Sequence, residues 1–152
     1  MNSTPEIHTI RLHGPWVAKV LAVFGEHGEV GQERRVKIPS DWSDWLGADF
    51  CGRVEYLRSF NRPTGLESNQ SVWLVVQQVD FQADVFLNDQ PLGHLRLGES
   101  PDGQPLRVKV EQYLELSNTL RVEIEVSADS DRADRLGLAG GLIGSVRIEI
   151  EQ

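Results

Sequence analysis

The sequence predicts a single all-β domain, a mostly antiparallel sandwich of two sheets, and three observations carry that prediction. Two segments alternate cleanly between apolar and charged residues: Leu120, Val122, Ile124 and Val126 against Arg121, Glu123 and Glu125, then Val146, Ile148 and Ile150 against Arg147, Glu149 and Glu151. Successive strand residues point to opposite faces, so each segment reads as a strand with one buried and one wet face. Turn signals recur at regular spacing, and helix-forming pattern is scarce.

Taken in chain order, weaker alternation marks residues 10–12, 16–24, 35–38, 54–60, 83–87 and 106–110 as strands. The continuously apolar run at 72–76 predicts a central strand covered on both faces. Eight to ten strands result. Between them stand Gly14-Pro15, the glycines from Gly25 to Gly31, Arg62-Pro63-Thr64-Gly65, Pro101-Asp102-Gly103 and the glycine-rich stretch from Gly137 to Gly144. Asn88-Asp89 is predicted to close a tight hairpin, because both residue types tolerate positive φ. One short helical turn is expected over residues 40–46, with Ser40 or Asp41 capping its free amides and the turn plugging one end of the sandwich.

At 152 residues the chain has the size of one domain, 1–152, with no repeat or linker to divide it. Its 39% hydrophobic and 25% charged residues speak against disorder, and no apolar run approaches the roughly 20 residues of a spanning helix. The first residues lack the basic start and apolar stretch of a secretory signal, which predicts a cytoplasmic protein with no membrane partner. Cys51 is the single cysteine, so no internal disulfide forms and a packing role is expected. A net charge of −8 with scattered cations argues against nucleic acid.

No catalytic constellation emerges. His8, His13, His27 and His94 stand far apart in sequence without a second ligand at zinc-site spacing, so neither metal nor cofactor is expected. The elbow serine pattern is absent, and the stretch from Gly137 to Gly144 lacks the Lys-Ser/Thr ending of a phosphate loop. Asp129, Asp131 and Asp134 cluster in a loop that could offer oxygen ligands to calcium, but Arg132 and Arg135 supply counter-charge and a solvated loop is the simpler reading. Of the four tryptophans, Trp16 and Trp73 fall inside strand patterns and are expected in the core. Trp42 and Trp45 sit in a polar setting, where they either cap the core or stack on a ligand such as a sugar.

The order of segments resembles a known family. Val36-Lys37-Ile38-Pro39-Ser40-Asp41-Trp42 leads to Gly52-Arg53-Val54-Glu55-Tyr56-Leu57-Arg58-Ser59-Phe60, then Val72-Trp73-Leu74-Val75-Val76, and then Ala83-Asp84-Val85-Phe86-Leu87-Asn88-Asp89-Gln90-Pro91-Leu92-Gly93-His94. Ser117-Asn118-Thr119-Leu120-Arg121-Val122 and the closing Val146-Arg147-Ile148 complete it. Together these resemble the N-terminal sugar-binding domain of the β-galactosidase, β-glucuronidase and β-mannosidase glycoside hydrolases. The resemblance implies a jelly-roll sandwich of the galactose-binding-like fold, without the catalytic barrel that bears the enzymes' carboxylates. It implies a non-catalytic carbohydrate-binding or accessory module; the alternative is an interaction module that docks on a partner protein or a second copy of itself. The candidate carbohydrate-binding residues are Trp42, Trp45, Asn88, His94, Asp134 and Arg135. Asp134 matches the position of a family aspartate that reaches toward substrate, while Leu136 stands where the family has a tryptophan.

Overall fold

In the computed structural model, residues 6–26, 28–39, 41–47, 50–77, 82–96, 105–126 and 144–152 are described. They form ten strands: β1 (Ile7–Arg11), β2 (Trp16–Val23), β3 (Glu33–Val36), β4 (Gly52–Asn61), β5 (Ser71–Val76), β6 (Gln82–Leu87), β7 (Gln90–Arg96), β8 (Leu106–Lys109), β9 (Ser117–Val126) and β10 (Val146–Glu151). A one-turn helix α1 (Ser43–Leu46) and a 3-10 turn (Glu111–Tyr113) complete the described elements. One antiparallel sheet has the order β1-β10-β5-β8 and the other β3-β2-β4-β9-β6-β7.

The alternation read from sequence is the alternation of burial. Leu120, Val122, Ile124 and Val126 of β9 face inward with Val54 and Tyr56 of β4 and Ala83, Val85 and Leu87 of β6. Val72, Leu74, Val76, Val146, Ile148 and Ile150 meet them from the smaller sheet in one continuous core. Trp16 is fully buried, as expected, and its indole N–H donates to the Leu12 carbonyl at 2.8 Å. Cys51 packs in the same core. β2 bulges between Val20 and Ala22, where β4 begins at Gly52. A Cβ on Gly52 would overlap the Ala22 carbonyl oxygen and lie 2.7 Å from Phe50 Cζ, so the bulge requires glycine.

Two expectations change. Trp73 is not a core residue: it stands on the outer face of the smaller sheet, opposite Glu149 and Lys109, half-buried beneath the Arg107 guanidinium 3.9 Å from its ring centre. Covering of the outer face accounts for the unbroken apolar run at 72–76 of β5; Val75, outward between Arg147 and Arg107, is fully buried. The second change is at β3, which ends at Val36, while Ile38 continues into the core by donating its N–H to the His13 carbonyl at 2.6 Å.

Candidate functional site

At one edge of the larger sheet, β3 and α1 enclose a cleft of about 190 Å³ lined by Arg34, Arg35, Val36, Lys37, Asp41, Asp44 and Trp45. A second depression of about 240 Å³, formed by Gly14, Pro15, Arg35, Val36 and Lys37, adjoins it across the strand. The helix owes its start to Asp41, whose Oδ1 accepts the Ser43 N–H at 2.9 Å; this is the role expected of Ser40 or Asp41, and Ser40 lies outside the described residues. Trp42 and Leu46 turn into the core, plugging this end of the sandwich as expected. Trp42 is 1% exposed and packs edge-on against Phe50 at 5.2 Å, so its ring offers no face to a ligand. Trp45 differs: it packs against the core but is half-buried at the cleft wall, and its indole nitrogen, itself buried, has no hydrogen-bond partner among the described residues. Arg34, Arg35 and Lys37 are exposed, with no ion pair among the described residues.

Asn88 stands at a different place and does structural work. Asn88 and Asp89 have φ of 51° and 66°, the tight hairpin turn expected of them. The Asn88 amide donates to the Tyr113 carbonyl at 3.0 Å and to Asn118 Oδ1 at 2.9 Å, while its own Oδ1 accepts the Thr119 N–H at 2.9 Å. Asn118 in turn accepts the Glu115 N–H and donates to the Glu115 carbonyl. Both Asn88 amide protons are thus committed to tying the β6–β7 hairpin to the start of β9. A polar hollow of about 330 Å³ lies beside this lock, lined by Asn88, Asp89, Glu115, Ser117, Thr119 and Arg121.

His94 lies at the opposite edge from the cleft, on the outer face of the larger sheet. Strand register places Glu33, Lys19, Glu55, Glu123, Asp84 and His94 in one row across all six strands. Three carboxylates in direct succession repel one another. Arg53, one row along, offsets this: its guanidinium lies 2.8 Å from Glu123, 3.2 Å from Asp84 and 3.3 Å from Glu125. The hydrogen bond from His94, at 2.9 Å, and that from Arg53 hold the Asp84 carboxyl below the usual carboxylate range, against the opposing effect of burial. Burial alone would lower the Arg53 pKa, but the bonds it donates to Glu123 and Asp84 raise it instead.

The candidate residues therefore do not converge. Trp45 beside β3 and His94 on β7 are separated by five strand spacings, about 24 Å at ~4.8 Å each, whereas a pocket of ~1,000 Å³ is only about 10 Å across. Asp134 and Arg135, with the Asp129–Asp131 cluster and Leu136, lie outside the described residues. Sequence reasoning missed Arg34, Arg35 and Lys37; the available signal was three cations within four residues of an acidic chain. Among the described residues no group of three His, Cys, Asp or Glu side chains could hold a metal ion, and no helix is long and apolar enough to cross a membrane.

No protein-family model matches the sequence, and no curated protein matches it. Solved structures do share its fold. An FMN-binding β-glucuronidase from Facaelibacterium prausnitzii superposes with a TM-score of 0.71 at 18% identity, over 97% of this chain and 23% of that one. A Bifidobacterium dentium β-glucuronidase complexed with coumarin-3-O-glucuronide gives 0.71 at 19%, over 99% of this chain and 31% of the enzyme. A β-galacturonidase from Eisenbergiella tayi gives 0.68 at 20%, over 97% and 25%. This chain thus has the fold of one part of glycoside hydrolase chains and spans less than a third of each. At such identities the likeness is one of fold.

Proposed function

We propose that this chain is a non-catalytic carbohydrate-binding or accessory domain, and that a sugar seats in the cleft between β3 and α1. The observation that carries the reading is Trp45, a half-buried indole at the wall of a cleft whose other lining residues, Val36 apart, are charged. An indole offers an apolar platform to the C–H face of a sugar ring, and the surrounding charges can bond its hydroxyls. The fold likeness to glycoside hydrolases supports the same ligand class.

Titration of the isotope-labelled chain with a broad oligosaccharide panel tests the reading. Shifts should concentrate at Trp45, the β3 amides and residues 41–47, and Trp45→Ala should abolish them. A panel that leaves those amides undisturbed refutes it.

A second reading, docking on a partner protein, is favoured by exposed apolar residues in one connection: Phe24 at 47% and Val30 at 68%, both between β2 and β3. Light scattering over a concentration series, with pull-downs from the native cell, tests it. A strictly monomeric chain without a captured partner would rule it out.

A further inference from the structure

Four arginines on the outer sheet faces are matched to acid: Arg53 to Asp84, Glu123 and Glu125, Arg107 to Glu149 and Glu151, Arg121 to Asp89 and Glu123, Arg147 to Glu149. The cleft gathers three cations that are not. Arg34, Arg35 and Lys37 line it without an ion pair among the described residues, in a chain with a net charge of −8 that holds abundant carboxylate. Asp41 spends one oxygen on the Ser43 N–H, and Asp44 is the other acid of the wall.

The local geometry makes these cations usable together. β3 is an edge strand, so one side of its backbone has no strand neighbour among the described residues. Side chains alternate along it. Arg35, opposite Val17, shares the outer face, whereas Arg34, opposite Ala18, belongs to the inner side where α1 packs. The two adjoining depressions share Arg35, Val36 and Lys37, and so bring both sides of the strand into one surface with Trp45 at one end. A guanidinium presents a planar fork of donors matched to carboxylate or sulfate, and a water-exposed fork pays little desolvation to accept one.

Accepting the reading that a sugar occupies this cleft, we infer that the sugar is anionic: an oligosaccharide bearing carboxylate or sulfate groups, its ring against Trp45 and its charge on Arg34, Arg35 and Lys37. A neutral sugar would satisfy the indole and leave the three cations as they are. An anionic one uses both features of the wall.

Isothermal titration of the full 152-residue chain against matched pairs tests this: mannuronate trimer with mannotriose, galacturonate trimer with galactotriose, and a sulfated galactan trimer as a third anion. At least one anionic member should bind ten or more times tighter than its neutral partner and weaken as salt rises from about 50 to 300 mM, where the screening length shrinks several-fold relative to dilute buffer. Arg34→Ala and Lys37→Ala should each weaken it by roughly fivefold, the scale of one exposed charge-assisted contact. Their exposed positions leave the fold intact, with circular dichroism as the check. Carboxylate and sulfate arms tell which anion the site takes. Equal affinity for the neutral partners overturns the inference while the sugar reading stands; no binding by any member overturns both. Polyglutamate binding as tightly as the best sugar, indifferent to Trp45→Ala, also overturns it.

Discussion

Replacing Asn118 by alanine removes the one buried polar side chain among the described residues. Asn118 is 1% exposed; its Oδ1 accepts the Glu115 N–H at 2.8 Å and an Asn88 amide proton at 2.9 Å, and its amide donates to the Glu115 carbonyl at 2.9 Å and, weakly, to the Phe60 carbonyl at 3.4 Å. Truncation strands four groups. Glu115 is exposed, so water can replace the partners of its backbone, whereas the Asn88 amide proton and the Phe60 carbonyl are less accessible. At ~1–3 kcal/mol for each unsatisfied buried group, two such orphans cost about 3 kcal/mol. With a urea m-value near 2 kcal/mol/M, the unfolding midpoint should fall by about 1.5 M, and the melting temperature by about 6–12 °C. Asn88→Gly separates the lock from the turn, since glycine keeps the backbone at φ 51° without strain while losing every side-chain bond. The double variant should show a coupling of ~0.5–3 kcal/mol, as groups in one hydrogen-bond network do. A loss under about 1 kcal/mol for Asn118→Ala, or additivity within ~0.3–0.5 kcal/mol, would refute the claim that these two asparagines hold the hairpin to β9.

Gly52→Ala should destabilise by about 1–3 kcal/mol through overlap with the Ala22 carbonyl oxygen and Phe50, measured by thermal melting, and unchanged stability would show that the bulge can relax. Asp89→Gly should instead stabilise by about 0.5 kcal/mol: Asp89 is exposed at φ 66°, and its 3.5 Å contact with Arg121 at the surface contributes little. Stability should fall as acid is added through the carboxylate range. Asp84, held down by its bonds from His94 and Arg53, and Glu149, held down chiefly by Arg147, are lowered in the fold, as is Glu111, where burial is the largest single effect and is outweighed by two backbone N–H groups together with Lys109. A lowered folded-state pKa contributes stability that is present above the unfolded value and lost as pH drops through the folded one. The urea midpoint should therefore decline from about pH 4 downward, and Asp84→Asn should make that decline shallower; an unchanged slope would show that the bonds to Asp84 carry no net stability.

Alternation by itself determined the all-β class, because period two maps directly onto burial wherever one face is wet: β9 and β10 could be read residue by residue, and the resemblance carried by the segments from Val36 to Ile150 pointed to the fold that the glycoside hydrolase neighbours share. Turn chemistry likewise determined the Asn88-Asp89 hairpin, since positive φ is a local demand. What side each residue of β5 faces was not legible, for an all-apolar run carries no parity. Only pairing with β10 and β8 placed Trp73 outside, under Arg107. The tertiary structure also decided between Trp42 and Trp45, which share one polar segment: the packing of α1 sends Trp42 against Phe50 and leaves Trp45 at the cleft. Closure of the chain also set Asn88 to structural work and, through β3 and α1, drew Arg34, Arg35 and Lys37 along a single hollow, because hydrogen-bond partners 25 to 31 residues away, and a cleft built from two elements, exist only once the chain has closed on itself.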